Sequence, residues 1–255
     1  MDFERIYEPA EDSYLLLDTL SSDSEKAFLQ SRFNTRSPKI SSSPLVLEIG
    51  TGSGVVLSFV HAHAALIFGR ADILTAGVDV NRYACKSTEE TVRVAEKEQT
   101  QERGQGQASY GCYIGNILGD LTTPLRIGTV DMLIFNPPYV PTPTLPSTPG
   151  TTDEVIKPSF ESDSHLLELS YAGGKDGMET TNRLLDSLPD ILSQERGCAY
   201  ILFCAQNKPE DVKQRIRRWG AGWKIETVGT SGKKGGWEKL QIIRIWRIPI
   251  ATDFL

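Results

Sequence analysis

Short, almost wholly apolar runs recur along the chain, separated by longer stretches of mixed character. Leu45-Val46-Leu47-Glu48-Ile49 is the first run, and it stops at a glycine-rich turn. A brief apolar run bounded by a turn reads as a strand buried on both faces. The apolar stretch 55–68 that follows is too long for such a strand and reads as a helix. The opening unit is therefore strand, glycine turn, helix. Residues 73–80 predict a second strand that carries Asp79 at its end, and 82–102 a helix rich in charge. Residues 109–114 read as a weaker third strand, and 130–135 and 197–204 as the fourth and fifth. Residues 209–219 form a helical pattern with proline at its first turn. Two last strands, 223–228 and 240–246, flank a Gly/Lys turn and suggest a hairpin-like ending. Strands alternating with helices predict an α/β fold: a doubly wound, mostly parallel seven-stranded sheet with one antiparallel strand near the C-terminus. Such sheets tolerate an antiparallel strand at their edge.

Three segments break the pattern. Residues 34–44 and 99–109 read as polar insertions, and 137–158 hold seven of the fourteen prolines directly after a predicted strand. A long loop at the carboxyl end of a sheet strand is where ligands bind in open α/β sheets. No internal repeat interrupts the series, so 1–255 reads as one domain. At 255 residues it is large enough to bury a full core without disulfide or metal staples. The four cysteines, Cys85, Cys112, Cys198 and Cys204, lack the C-x-x-C spacing of a metal or redox site. They read as small thiols in a reducing compartment. The acidic start lacks the apolar core of a signal peptide. No apolar stretch reaches the ~20 residues that a bilayer span requires. The expected location is the cytosol or the nucleus.

Charge narrows the partners. Lys plus Arg is 27 against 33 for Asp plus Glu, a net −6. That balance disfavours stable binding to duplex DNA, which calls for a basic footprint. The charge is uneven, however: 208–247 hold eleven basic and four acidic residues. That stretch reads as a solvated face, with a surface for RNA or an acidic partner as the alternative.

Three local patterns carry chemistry. In Glu48-Ile49-Gly50-Thr51-Gly52-Ser53-Gly54, glycines at alternate positions let the backbone approach a ligand closely and turn into a helix. The third glycine comes one place too early for a dinucleotide fingerprint, which disfavours a NAD-linked dehydrogenase. Asp79 ends the next strand, where a carboxylate can accept from both ribose hydroxyls; the plain alternative is a helix cap. Asn136-Pro137-Pro138-Tyr139 directly follows the strand that ends at Phe135. The prolines fix the backbone and remove two donors, so nearby carbonyls remain as acceptors beside the Asn136 side-chain oxygen. Such a corner suits an incoming NH₂ group, and Tyr139 offers a flat face for a planar amide or base. None of His61, His63 or His165 falls in these patterns, and His61 and His63 read as structural residues of a helix.

Taken together, VLEIGTGSG, the acid-ended strand and NPPY resemble a Rossmann-like class I S-adenosylmethionine-dependent methyltransferase acting on a planar nitrogen. Within that class, Tyr7-Glu8-Pro9-Ala10-Glu11-Asp12-Ser13, the run FNPPYVPTP and Gly173-Gly174-Lys175-Asp176-Gly177 resemble the HemK family of glutamine methyltransferases. The resemblance is to its eukaryotic branch, which lacks the extra N-terminal helical domain of the bacterial branch. It spans about residues 5–250.

The resemblance implies a protein-glutamine N-methyltransferase that modifies the GGQ glutamine of the eukaryotic class 1 translation release factor. It implies catalytic roles for Asn136, Pro137, Pro138 and Tyr139. It also implies a cofactor site of Glu48, Gly50, Gly52, Gly54, Asp79 and Asn136, with an N-terminal segment, about 1–33, whose Ser13 closes over the cofactor. The family places an acidic residue before an apolar one at the adenine edge. Spacing to NPPY puts that pair on Asn116-Ile117, with asparagine in place of the acid; Asp120 is a substitute whose spacing fits less well. No metal ligands are implied in this chain. The eukaryotic members work as heterodimers with a small zinc-binding activator protein that pairs with the sheet edge, and 110–114 is the expected edge. Two other substrates suit the same corner, the adenine amino group of DNA and a protein lysine. The lack of a target-recognition domain and of a base-flipping apparatus weighs against the first.

Overall fold

A computed structural model describes residues 3–33, 42–103, 110–147, 160–232 and 239–248. Seven strands form one sheet in the order β3-β2-β1-β4-β5-β7-β6. They are β1 (Leu45–Ile49), β2 (Leu74–Asp79), β3 (Cys112–Leu118), β4 (Met132–Phe135), β5 (Cys198–Phe203), β6 (Trp223–Thr230) and β7 (Gln241–Arg247). The first five are parallel, and β7 runs antiparallel to both β5 and β6. The α/β expectation holds, with one refinement. The antiparallel strand is inserted between β5 and β6 and does not sit at the edge, because β6 and β7 form a hairpin whose second arm docks on the core.

Every residue of β4 and β5 is buried, as their unbroken apolar runs require of strands covered on both faces. One core layer gathers Leu133, Phe135, Ile201 and Leu188; the other gathers Met132, Ile134, Tyr200 and Phe33.

The helices are α1 (Glu11–Ser21), α2 (Asp23–Phe33), α3 (Val55–Ala62), α4 (Ala64–Phe68), α5 (Arg82–Arg103), α6 (Phe160–Tyr171), α7 (Glu179–Ile191) and α8 (Pro209–Arg217). The single helix predicted over 55–68 is two helices that meet at His63. The insertion expected from 99 begins as the last turn of α5, and 104–109 lie outside the described residues, as do 34–41 of the other insertion. None of the described helices is long and apolar enough to cross a membrane.

The third strand lies further along than 109–114. Ile114 is an extra residue there: Thr75 pairs with Tyr113 and Ala76 with Gly115, and Gly115 takes φ 117°. A glycine at a bulge tolerates that conformation where a side chain would not. The shift carries β3 on to Leu118, opposite Asp79.

Candidate active site

The glycine turn follows β1, and Gly50, Gly52 and Gly54 all take positive φ, between 53° and 80°. These values belong to the left-handed region that glycine enters at no steric cost. Two of the three line a cavity of about 200 Å³ at the carboxyl ends of β1, β2 and β4. A side chain on Gly52 would meet no atom within 4 Å, so its backbone faces open space. Gly54 lies off the cavity. A Cβ there would come within 2.5 Å of Thr88 Cα, so that glycine allows α3 to pack against α5.

Two buried carboxylates border this turn. Glu48 is 2% exposed and accepts a hydrogen bond from Leu57 N–H at 2.9 Å. Burial drives its carboxyl well above the ordinary range, and the nearby Asp79 charge pushes the same way. Asp79 accepts from Gly52 N–H at 3.0 Å and from Asn81 N–H at 2.8 Å. Burial raises its carboxyl too, opposed by those donors. Asp79 therefore shapes the turn while lining the cavity. Asn81, not Asp79, accepts Tyr83 N–H at the start of α5, and its Nδ2 donates to Arg5 O at 2.7 Å, drawing the N-terminal segment to the rim.

The Asn136–Tyr139 corner lines the same cavity. A Cβ on Gly50 would sit 4.0 Å from Asn136 O, so turn and corner stand side by side at the ends of the paired strands β1 and β4. Asn136 Nδ2 donates to Asp12 Oδ2 at 3.1 Å. A carboxylate only accepts, so this contact fixes which end of the amide is which. Asn136 Oδ1 is buried and has no partner among the described residues. A buried acceptor left open costs on the order of 1–3 kcal/mol, and in a cavity wall it marks a place for a donor. Asp12 itself, 2% exposed, is anchored by Ser13 N–H at 2.6 Å. Ser13 lines the cavity beside it.

The Gly173–Gly177 turn buttresses the corner from behind. Val140 N–H donates to Tyr171 O, and Gly173 N–H to Val140 O, at 2.9 and 2.8 Å. A side chain on Gly173 would come within 2.3 Å of Pro138 O, and one on Gly177 within 1.9 Å of Tyr139 O. Only glycine permits this approach.

Asn116 and Ile117 do not reach the cavity. Asn116 packs on Gly77, where an added Cβ would lie 2.2 Å from its Oδ1, and its Nδ2 donates to Cys85 O. Ile117 is 41% exposed on the outer strand. Because β3 runs on to Leu118, the residues level with the site come later. Gly119 N–H donates to Asp79 O, and Asp120 and Leu121 line the cavity. Asp120-Leu121 is thus the acidic-then-apolar pair that lines the cavity, and Asp120 is ion-paired with Arg183 of α7.

The chain is 32% identical over 251 residues to the eRF1 methyltransferase catalytic subunit mtq2 of Schizosaccharomyces pombe, covering 97% of this chain and 91% of that one. This chain belongs to the HemK family of methyltransferases. It is 29% identical over 245 residues to Methyltransferase HEMK2 of Homo sapiens, covering 95% and 90%. It is 30% identical over 163 residues to the release factor glutamine methyltransferase of Thermosynechococcus vestitus, covering 64% and 46%. No protein-family model matches the chain. As a member of the HemK family it is a methyltransferase with S-adenosylmethionine as cofactor. The residues present fit that cofactor: a glycine cradle that a Cβ would not fill, an acid at the end of β2, and an acid-apolar pair after β3.

Proposed function

We propose that this chain methylates the side-chain amide nitrogen of the glutamine in the GGQ motif of the eukaryotic class 1 translation release factor. The observation that carries the reading is Asn136, a residue of the cavity lining: its Nδ2 is committed to Asp12, and its Oδ1 is a buried acceptor without a partner among the described residues. The names of the fission-yeast and cyanobacterial relatives support the substrate.

In this reading Asp79 holds the ribose, Asp120 and Leu121 take the adenine edge, and Glu48 with Gly50 lines the methionyl end. Ser13 closes the N-terminal side. Bound S-adenosylmethionine supplies an electrophilic sulfonium methyl. The amide nitrogen is a weak nucleophile because its lone pair is delocalised into the carbonyl. Asn136 Oδ1 and the Pro137 carbonyl each accept one of its N–H groups. They orient the nitrogen and disperse positive charge as the new bond forms. The flat Tyr139 ring stacks beside the amide plane. Alignment of two bound reactants can supply ~7–11 kcal/mol. The N-methylated amide is strongly acidic and gives its proton to water once the N–C bond has formed, so no resident general base is required. Asp12 keeps the Asn136 oxygen aimed at the substrate.

A small zinc-binding activator protein pairs with β3 in this reading. β3 ends the sheet, and Ile114, Ile117 and Leu118 on it are 57%, 41% and 53% exposed, an apolar edge suited to a covering partner. The four free cysteines accord with the cytosol or nucleus as the site of action.

The test offers labelled cofactor with the release factor, its Gln→Ala variant, histone and DNA, to the chain purified with its activator. Label is expected on the unaltered release factor alone. Asn136→Ala should lose at least ~10²-fold in turnover while binding S-adenosylhomocysteine as the unaltered chain does. Label that persists on the Gln→Ala factor overturns the glutamine assignment.

A further inference from the structure

We infer that Asn207 is a positioning residue for methyl transfer, the clamp that sets the tilt of the Asn136–Tyr139 corner; this rests on the reading of the corner given above. Asn207 closes the short turn after β5, is 2% exposed, and is not among the cavity's lining residues. Its Oδ1 accepts Cys204 N–H at 2.8 Å, which ties the side chain to the end of the central strand. Its Nδ2 donates to three carbonyls: Tyr139 O at 2.9 Å, Asp176 O at 2.9 Å and Gly177 O at 3.3 Å. One buried amide thus joins the core of the sheet, the corner and the glycine turn behind it.

The arrangement has a chemical purpose. The two prolines fix φ at 137 and 138 and leave ψ as the rotation by which the corner can tilt. Holding the Tyr139 carbonyl at the far end of the diproline limits that tilt, and with it the aim of the Pro137 carbonyl two residues earlier. The turn on the other side is held in left-handed conformations, with Asp176 at φ 56° and Gly177 at φ 67°. A non-glycine residue rarely stays there without outside restraint. The same Nδ2 restrains both carbonyls of that pair. A shift of about 1 Å in an acceptor beside the reacting nitrogen can cost ~10²-fold in rate.

Asn207→Asp is the test, because it keeps the shape and the acceptor for Cys204 N–H but turns the donor into an acceptor facing three carbonyls. The readouts are kcat per S-adenosylhomocysteine-binding site, counted by calorimetry, and the pH profile of kcat. Cofactor affinity is expected within about 3-fold of the unaltered chain, and kcat per site is expected to fall by ~30-fold or more. Activity should recover as pH is lowered, since a protonated carboxyl can donate to Tyr139 O and burial raises its titration range. Lys208→Ala, which breaks only the exposed pair with Asp176, should leave kcat unchanged. Asn207→Ala removes the donor without adding charge and is read in the same way. The inference is overturned by a normal kcat per site in both variants, or by a loss of turnover matched by a loss of binding sites, which would assign Asn207 to folding alone. An unaltered chain that leaves the release factor unlabelled refutes the functional reading and this inference with it; a labelling chain with a normal Asn207→Asp variant refutes only the inference.

Discussion

Glu48 keeps a carboxyl group almost wholly out of water, with one backbone donor, Leu57 N–H. Its folded-state titration lies above its unfolded value. The contribution of this group to stability is therefore fully present below the ordinary glutamate range, about pH 4.3, and is lost as pH rises through the raised value. Glu48→Gln keeps an oxygen for Leu57 N–H and removes the charge. In the cofactor-free chain its Tm is expected to exceed that of the unaltered protein at alkaline pH, with the gap closing as pH falls. A gap of constant size across pH would show that burial of the charge is not the cause. Asp79 shifts in the same direction but is present in both chains. The glycine turn, Asp79 and the diproline corner were legible in the sequence because each is a local pattern tied to the end of an apolar run. Asp12 was not singled out, although it directly precedes Ser13, because its contact with Asn136 spans 124 positions and has no local signature. Asn207 escaped for the same reason: the three carbonyls to which it donates lie 30 to 68 residues away.

Among the elements, the strands were read more truly than the helices. A strand covered on both faces leaves an unbroken apolar run, and β1, β4 and β5 show it plainly. The helices α1, α2 and α7 bury one face each, so their apolar positions are interspersed with charge and leave no such run; α6 has no buried residue among those described and lines the cavity. β3 was placed too early because its pattern is that of an outer strand, with only partly covered positions. The same exposure supports a prediction. Ile114 is the bulged residue and projects from the edge, so Ile114→Asp should abolish co-purification with the activator while leaving S-adenosylhomocysteine binding by the chain intact. A purified chain that is soluble, monomeric and fully active without any partner would end the heterodimer proposal.

At the scale of the molecule, the N-terminal helices are fastened to the far side of the sheet by buried charge. Arg244 of β7 pairs with Glu25 of α2 at 2.6 Å and with Glu226 of β6 at 2.9 Å. Tyr200 of β5 donates to the same Glu25 oxygen at 2.7 Å. The Arg244 guanidinium lies 3.7 Å above the Phe28 ring. Arg32 donates to the carbonyls of Arg196, Gly197 and Arg247. Removing one member of a buried pair strands the other, so Glu25→Ala should cost about 3–5 kcal/mol in denaturant unfolding. A loss below about 0.5 kcal/mol, ordinary for a surface change, would show that the network does not hold the helices.

The bolted pair contrasts with the strap ahead of it. Residues before α1 reach the rim through Arg5, whose carbonyl is held by Asn81 and whose guanidinium meets Asp163 at 2.8 Å in a pair about one-fifth exposed on each side. Water competes for such contacts far better than for those of Glu25. Arg5→Ala, which removes this part-exposed pair, is therefore expected to speed the release of S-adenosylhomocysteine in stopped-flow, with Asp12 and its asparagine still in register for the next turnover.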